Sequence, residues 1–159
     1  MTDTPRFGIA SLDQIAGLTG LEFLRRMIAG ELPGPPIGAT LGFRLAEAEP
    51  GRVVFEGMPS AALLNPLGSV HGGWALALID SATGCSLHSE LPPDTGYTTV
   101  ETKVNFTRPI PQDGGIVRCE GVLLSRGRQI ATAEARLTSA EGKLLAHGTS
   151  TLIILPKRT

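Results

Sequence analysis

The amino-acid sequence predicts an α+β domain in which an antiparallel sheet curves around one buried helix. Three observations carry this expectation. Val70 to about Leu87 is apolar or small nearly all round, with Trp74, Ala75, Leu76, Ala77, Leu78, Ile79, Ala82, Gly84 and Cys85; a helix apolar on every side is a buried one. The strand-like runs elsewhere are joined by short turn sequences, which makes antiparallel pairs. The 159 residues suffice for one domain that builds its own core.

The elements follow in order. Leu12 to about Ala29 has helical spacing, with Ile15, Leu18, Phe23, Leu24 and Met27 on one broad face and Gly30 as a stop. Glu31 to Gly38 carries Pro33, Pro35 and Pro36 and reads as a stiff linker. Residues 1–38 are thus assigned to an N-terminal helix and Pro/Gly linker, and residues 39–159 to the main domain. Two strand-like runs between Thr40 and Met58 meet at Glu49-Pro50-Gly51-Arg52, and Pro59 to Ser69 reads as a loop. In the helix that follows, Gly73, Ala77, Ser81 and Gly84 recur every three or four residues and invite close approach by a neighbour. Beyond Leu91-Pro92-Pro93, Val100, Thr102, Val104 and Phe106 alternate with Glu101, Lys103 and Asn105 as a strand would. Pro109 and Pro111 break that run, and Asp113-Gly114-Gly115 turns it. Ile116–Leu124 and Ile130–Thr138 flank a hairpin at Ser125-Arg126-Gly127-Arg128, and a last strand runs from Lys143 to Leu155.

Composition narrows the function classes. Lys+Arg 14 against Asp+Glu 15 gives a net charge of -1, which argues against a nucleic-acid binder needing a basic excess. Charged residues are 18% of the chain, below the ~25% usual for soluble domains; such a chain is expected to bury surface against copies of itself. Cys85 and Cys119 stand alone, so no metal site is expected, and they read as reduced thiols suited to the cytoplasm. Met1 to Gly20 holds acids and no continuous apolar run, so it does not read as a signal peptide. The longest apolar stretch, Gly72 to Ile79, is too short to span a bilayer, so no membrane partner is expected.

The candidate chemistry lies in Asn65-Pro66-Leu67-Gly68-Ser69-Val70-His71-Gly72-Gly73 and in Asp80. Asp80 is the only acid between Glu56 and Glu90, in the middle of the apolar helix. A buried carboxylate needs a partner; it is either a paired structural acid or a base or nucleophile tuned by its surroundings. Gly72 and Gly73 open the helix, where the first N–H groups lack intrahelical acceptors and the dipole is positive. They serve either tight packing or donation to an oxygen that gains charge. Gly72 and Asp80 lie eight residues apart on roughly one side of the helix, but about 12 Å apart along its axis. Both can act on one carbonyl only if a second helix runs antiparallel beside the first, as a dimer would supply. His71 either meets a substrate carbonyl or caps the helix start. Asn65 either orients a water or carboxylate, or is a turn residue before Pro66. No serine or cysteine sits in a nucleophile elbow.

Asn65…His71-Gly72-Gly73…Asp80-Ser81-Ala82 resembles the PaaI-type branch of the hotdog-fold acyl-CoA thioesterases. Thr99 to Pro109 looks like that family's next strand, and Ser125 to Ala131 like its central hairpin; the resemblance spans roughly Thr40 to Leu155. It implies the hotdog architecture and hydrolysis of an acyl-CoA, with coenzyme A as part of the substrate and no separate cofactor. It also implies a homodimer or homotetramer with active sites between subunits. Residue by residue, Asp80 matches the catalytic carboxylate and Gly72 the residue whose N–H polarises the thioester carbonyl. His71 and Gly73 lie beside it, and Asn65 matches the residue that positions water or carboxylate. Thr99 falls near the family's polar site groups. Some relatives pair a glutamate with a hydroxyl four positions on; here that position is Gly84, with Thr83 one residue short. Arg126 and Arg128 are candidate contacts for the nucleotide phosphates, or solvated turn charges. Trp74, Phe106 and Leu63-Leu64 line either an acyl pocket or plain core. A non-catalytic acyl-CoA binding module is the alternative reading. A hydratase of the same fold ranks below it, since no histidine lies within a turn of Asp80.

Overall fold

In the computed structural model, which describes residues 6–155, six strands form one antiparallel sheet. They are β1 (Phe43–Glu49), β2 (Arg52–Gly57), β3 (Gly96–Phe106), β4 (Val117–Arg126), β5 (Ile130–Thr138) and β6 (Leu144–Leu155), in the spatial order β1-β2-β4-β5-β6-β3. The long helix α4 (Gly72–His88) lies against their concave face. Three short helices precede it: α1 (Leu12–Ile15), α2 (Gly20–Ile28) and α3 (Pro36–Leu41). This is the hotdog arrangement the sequence predicts. The expectations for residues 1–5 and 156–159, the outer ends of the two assigned segments, lie outside the described residues.

Three local expectations are corrected. The single helix from Leu12 to Ala29 is two helices. Gly17 adopts a left-handed φ of 74°, and Thr19 restarts the chain with a capping box. Its hydroxyl accepts from the Glu22 N–H while the Glu22 carboxylate accepts from the Thr19 N–H at 2.8 Å. The stiff linker holds a helical turn, because Pro36 occupies a first-turn position where its missing N–H costs nothing. The loop from Pro59 to Ser69 contains a 3₁₀ turn at Ala61–Leu63.

α4 is buried along most of its surface, but not all round. Trp74, Ala75, Leu78, Ile79 and Ala82 are buried against the sheet and join the core of Phe43, Val53, Phe55, Val117, Cys119 and Leu137. The Trp74 indole N–H donates to the Leu41 carbonyl at 2.7 Å, so Trp74 is a core anchor. Gly73, Leu76 and, in part, Gly72, Ala77, Asp80 and Ser81 stay uncovered. They form a strip at helical spacing that the sheet leaves largely open, touched at its margin by Thr102 and Phe106 of β3. Strand glycines make the close packing possible: a Cβ on Gly121 would sit 2.3 Å from the Ala82 carbonyl oxygen.

The sheet has two edges, the seven-residue β1 and the eleven-residue β3. β3 pairs only with β6, so its other side presents unpaired backbone groups. Its register shifts between Thr99 and Glu101, leaving Val100 as the extra residue of a bulge, 57% exposed. That shift corrects the simple alternation and has a consequence at the site. Thr99 and Thr102 are three apart, yet both lie opposite buried residues of β6, Leu152 and Ser150.

Among the described residues no helix is long and apolar enough to cross a membrane, and no cluster of His, Cys, Asp and Glu could hold a metal ion.

Gly121→Ala should force the α4 backbone away from β4. Such overpacking costs about 1–3 kcal/mol, read as a lower urea midpoint with an unchanged slope.

Candidate active site

The start of α4 is built by the loop before it. The Asn65 carboxamide oxygen accepts from the N–H groups of Leu67 (2.9 Å) and Ser69 (3.2 Å), and its amide nitrogen donates to the Ser69 hydroxyl at 2.8 Å. Asn65 is therefore occupied in closing its own loop, an Asx turn carried on by Gly68 at φ 81°, with one N–H of its amide left over. The His71 N–H donates to the Leu63 carbonyl at 2.8 Å and ties that loop to the helix.

His71 is the N-cap of α4. Its Nδ1 accepts from the Gly73 N–H at 2.8 Å. That contact assigns the proton of the neutral ring to Nε2, leaving an Nε2–H donor at an exposed position. It also engages the Gly73 amide. The Gly72 N–H stands outside the helical ladder, at the positive end of the dipole. The Phe106 ring packs over Gly72, where a Cβ would lie 2.9 Å from Cζ. A cavity of about 300 Å³ opens beside this first turn, lined by Leu41, Ala62, Leu63, Leu64, His71 and Trp74 among others. Larger clefts, of about 590 and 990 Å³, lie by the N-terminal helices and include neither Gly72 nor Asp80.

Asp80 lies two turns further along the uncovered strip, half-buried. Its Oδ1 accepts from the Thr102 hydroxyl at 3.3 Å. The Thr102 hydroxyl also meets that of Ser150 (3.0 Å), which meets that of Thr83 (2.7 Å). Thr83 is fully buried and faces the sheet, so it offers no surface to a ligand. Its hydroxyl reaches the carbonyls of Ile79 (3.0 Å) and Asp80 (3.1 Å). Neither Thr102 nor Ser150 stands out in the sequence. For Ser150 the one signal is a hydroxyl among Ala146, Gly148 and Leu152 on the inward face of β6; Thr102 shares its face with Thr99 and carries none. Thr99 faces inward on β3 with no side-chain hydrogen bond among the described residues.

Arg126 donates to the Glu90 carbonyl beyond the C-terminal end of α4, and Arg128 is exposed at the same hairpin. Within one protomer both are remote from Gly72, which lies at the other end of a helix about 24 Å long. The protomer therefore brings together Asn65, His71, Gly72 and Gly73 at one end, Asp80, Thr102, Ser150 and Thr83 in the middle, and the arginines at the far end.

The thiols offer no competing nucleophile. Burial, only partly offset by a hydrogen bond with Tyr97 and aided slightly by the Asp80 carboxylate, pushes Cys85 up to about 12. Burial alone pushes Cys119 up to about 12.

Residues 67–146 match the thioesterase superfamily, and the chain belongs to that family of thioester hydrolases. Human acyl-coenzyme A thioesterase 13 is 30% identical over 109 residues, 67% of this chain and 76% of that protein. Among solved structures, a phenylacetic acid degradation-related protein from Ralstonia eutropha JMP134 superposes with a TM-score of 0.74 at 29% identity. It covers 82% of this chain and 98% of its own. A mutant of the phenylacetic acid degradation protein PaaI from Thermus thermophilus gives 0.68 at 30% identity, over 76% and 99% of the two chains.

The raised Cys119 thiol fixes the sign of a pH effect. The unfolded chain ionises near its ordinary value while the fold holds the proton, so this contribution to stability is complete below about pH 8.5. It is lost as pH rises toward 12. Wild type should lose about 1.4 kcal/mol more per pH unit than Cys119→Ala between pH 9 and 11. Denaturant titrations across that range measure the difference.

Proposed function

We propose that this protein hydrolyses an acyl-CoA thioester to the free acid and coenzyme A, at a site shared between two copies of the chain. The observation that supports this most directly is the pair of groups on the uncovered strip of α4. One is a carboxylate at Asp80, the other an unengaged helix-start N–H at Gly72, on one face and about 12 Å apart. A thioester carbonyl is already electrophilic and its thiolate leaves readily, so one carboxylate and one oxyanion donor suffice.

Leu76 lies midway between Gly72 and Asp80 and is 39% exposed. A two-fold axis beside it sets Gly72 of each copy opposite Asp80 of the partner subunit, creating two sites at once and burying Leu76 against its counterpart. Pairing along the open edge of β3 would hold the two helices side by side, and a homodimer, or a homotetramer of two such pairs, follows. In this arrangement the Gly72 N–H polarises the carbonyl, and Asp80 of the partner subunit activates water or attacks the carbon. The His71 Nε2–H points a second donor toward the thioester oxygen. Asn65 acts through the loop that sets His71, Gly72 and Gly73 in place. The apolar cavity by Leu63, Leu64 and Trp74 takes part of the acyl group, Thr99 lies beside the reacting carbon, and Arg126 and Arg128 contact the nucleotide phosphates. Two isolated, unionised thiols fit a reducing, cytoplasmic setting.

A panel of acyl-CoAs from aryl-acetyl to long-chain, followed by release of the coenzyme A thiol, tests the reading. At least one member should turn over, and Asp80→Asn should lose about 10²–10⁴-fold in kcat with its melting curve unchanged. Turnover of no member, or an Asp80→Asn variant as fast as wild type, contradicts it. A single turnover in ¹⁸O water separates the two roles of the acid, since label enters Asp80 only if it attacks.

A further inference from the structure

Behind Asp80 the three hydroxyls form an unbranched chain that runs from the carboxylate into the core. In order the contacts are Asp80 Oδ1 to Thr102 (3.3 Å), Thr102 to Ser150 (3.0 Å), and Ser150 to Thr83 (2.7 Å). The last link joins Thr83 to the Ile79 carbonyl (3.0 Å), shared with that of Asp80 (3.1 Å). Thr83 and Ser150 are 0% and 1% exposed, so no bulk water substitutes for a missing partner.

Each hydroxyl carries one hydrogen. The chain therefore has four links and, when Asp80 is ionised, three hydrogens, so one link must be empty. Which link is empty follows from the relative strengths. A hydroxyl donating to a carboxylate gains more than one donating to a neutral carbonyl. The helix carbonyls at the inner end also accept from backbone N–H groups in the α4 ladder, and lose least when the hydroxyl turns away. The empty link thus falls between Thr83 and the helix, and all three O–H bonds point outward: Thr83 to Ser150, Ser150 to Thr102, Thr102 to Asp80. Protonation of Asp80 supplies a fourth hydrogen. The carboxyl then donates to Thr102, the three O–H bonds rotate inward, and every link is filled. No proton travels along the chain; the added proton stays on the carboxyl, and only O–H bonds turn.

We infer that Thr102, Ser150 and Thr83 form a reversible hydroxyl relay that positions the Asp80 carboxylate and turns its O–H bonds inward when the carboxylate gains a proton, with Thr102 as the residue that touches it. The inference deepens the proposed role of Asp80 and rests on that reading only for its effect on rate. The bulge at Val100 makes the relay possible, because it turns Thr102 toward α4 while leaving Thr99 on the same side. The relay also accounts for the burial of the Thr83 and Ser150 hydroxyls between α4 and β6. The other titratable groups that feel the Asp80 charge are Cys85 on α4 and Tyr97 on β3. Burial holds both neutral near pH 7. Glu101 and Lys103, the charged residues of β3, are exposed and alternate away from the inward Thr102.

The relay predicts shifts of opposite sign from two isosteric changes, which a merely structural role would not produce. Thr102→Val removes the donor to the carboxylate and should move the Asp80 midpoint upward. Thr83→Val removes the acceptor that lets Ser150 turn inward, so the outward arrangement is locked and the midpoint should fall. Thr102→Ser restores the hydroxyl and should return the midpoint to the wild-type position, which keeps the test valid should Thr102→Val perturb the strand. The measurement is an NMR titration of the ¹³C-labelled Asp80 carboxyl in the full-length protein, assigned with Asp80→Asn. A midpoint that either valine substitution leaves in place, or that both move the same way, overturns the relay. The acid limb of the kcat/KM pH profile should move with the NMR midpoint; if the carboxyl shifts and the limb does not, it is the catalytic assignment of Asp80 that fails, not the relay.

Discussion

An α-helix advances about 1.5 Å per residue, and Gly72 and Asp80 are eight residues apart on one helix. That separation governs the rest of the molecule. The two groups best suited to thioester chemistry cannot reach one carbonyl together from a single α4, so neither has a use in isolation that the other completes. Much of the fold reads as a way of keeping them available. The sheet covers the Trp74, Leu78, Ile79 and Ala82 side of the helix and leaves the strip that carries Gly72, Leu76 and Asp80 largely open, with Thr102 and Phe106 of β3 at its margin. The strand next to that strip, β3, is also the longer of the sheet's two edge strands. A charge-bearing helix strip and a long unpaired edge thus lie side by side, which is the basis of the proposal that a second copy covers both.

The composition fits this arrangement. Only 18% of the residues are charged, and many of them gather away from the site. Arg44, Glu47, Arg52, Glu56, Arg118 and Glu120 form an ion-pair ladder across β1, β2 and β4. Within it, Arg118 pairs with Glu56 at 2.7 Å and Arg52 with Glu120 at 2.6 Å. Such partly exposed pairs stabilise little individually, but they mark that side of the sheet as solvated. Several of the 20 glycines serve the opposite side. Gly121 and Gly148 lie under α4, where a Cβ on Gly148 would come within 3.0 Å of Ile79 Cγ2. Of the small residues that suggested close approach by a neighbour, Gly84 meets the sheet at Tyr97, while Gly73, Ala77 and Ser81 lie on the uncovered strip.

The sequence revealed those features that depend on periodicity or on an unusual residue in a uniform setting. An apolar run of helical length, hairpins with turn residues between alternating strands, and one acid in that apolar run all follow from local pattern. What it concealed depends on register or on three-dimensional partners. The break at Gly17 was hidden because Leu18, Phe23 and Leu24 continue the apolar face across it, although Thr19-Gly20-Leu21-Glu22 carries a capping-box pattern. The bulge at Val100 shifts every later side chain of β3 by one position relative to strict alternation, and no residue in the strand announces it. Thr102 and Ser150 meet only because β3 and β6, 48 residues apart at that point, are neighbours in the sheet. Asn65 and His71 were each legible as one of two things; in the protomer both perform the local one, closing a loop and capping a helix.

The claim on which the account turns is that each site draws Asp80 from one chain and the Gly72 amide from another. Proline at the first helical position removes that amide at little cost to the helix. His71, at φ -65° and ψ 133°, already has the extended conformation a following proline requires. Phe106, which packs on Gly72, is exposed and can swing aside. Asp80→Asn and Gly72→Pro chains, each nearly inactive alone, should recover activity when unfolded together in equal amounts and refolded. Half the dimers are then mixed, each with one intact site, so about a quarter of wild-type activity should return. Activity no greater than that of the two variants refolded separately would contradict the shared site.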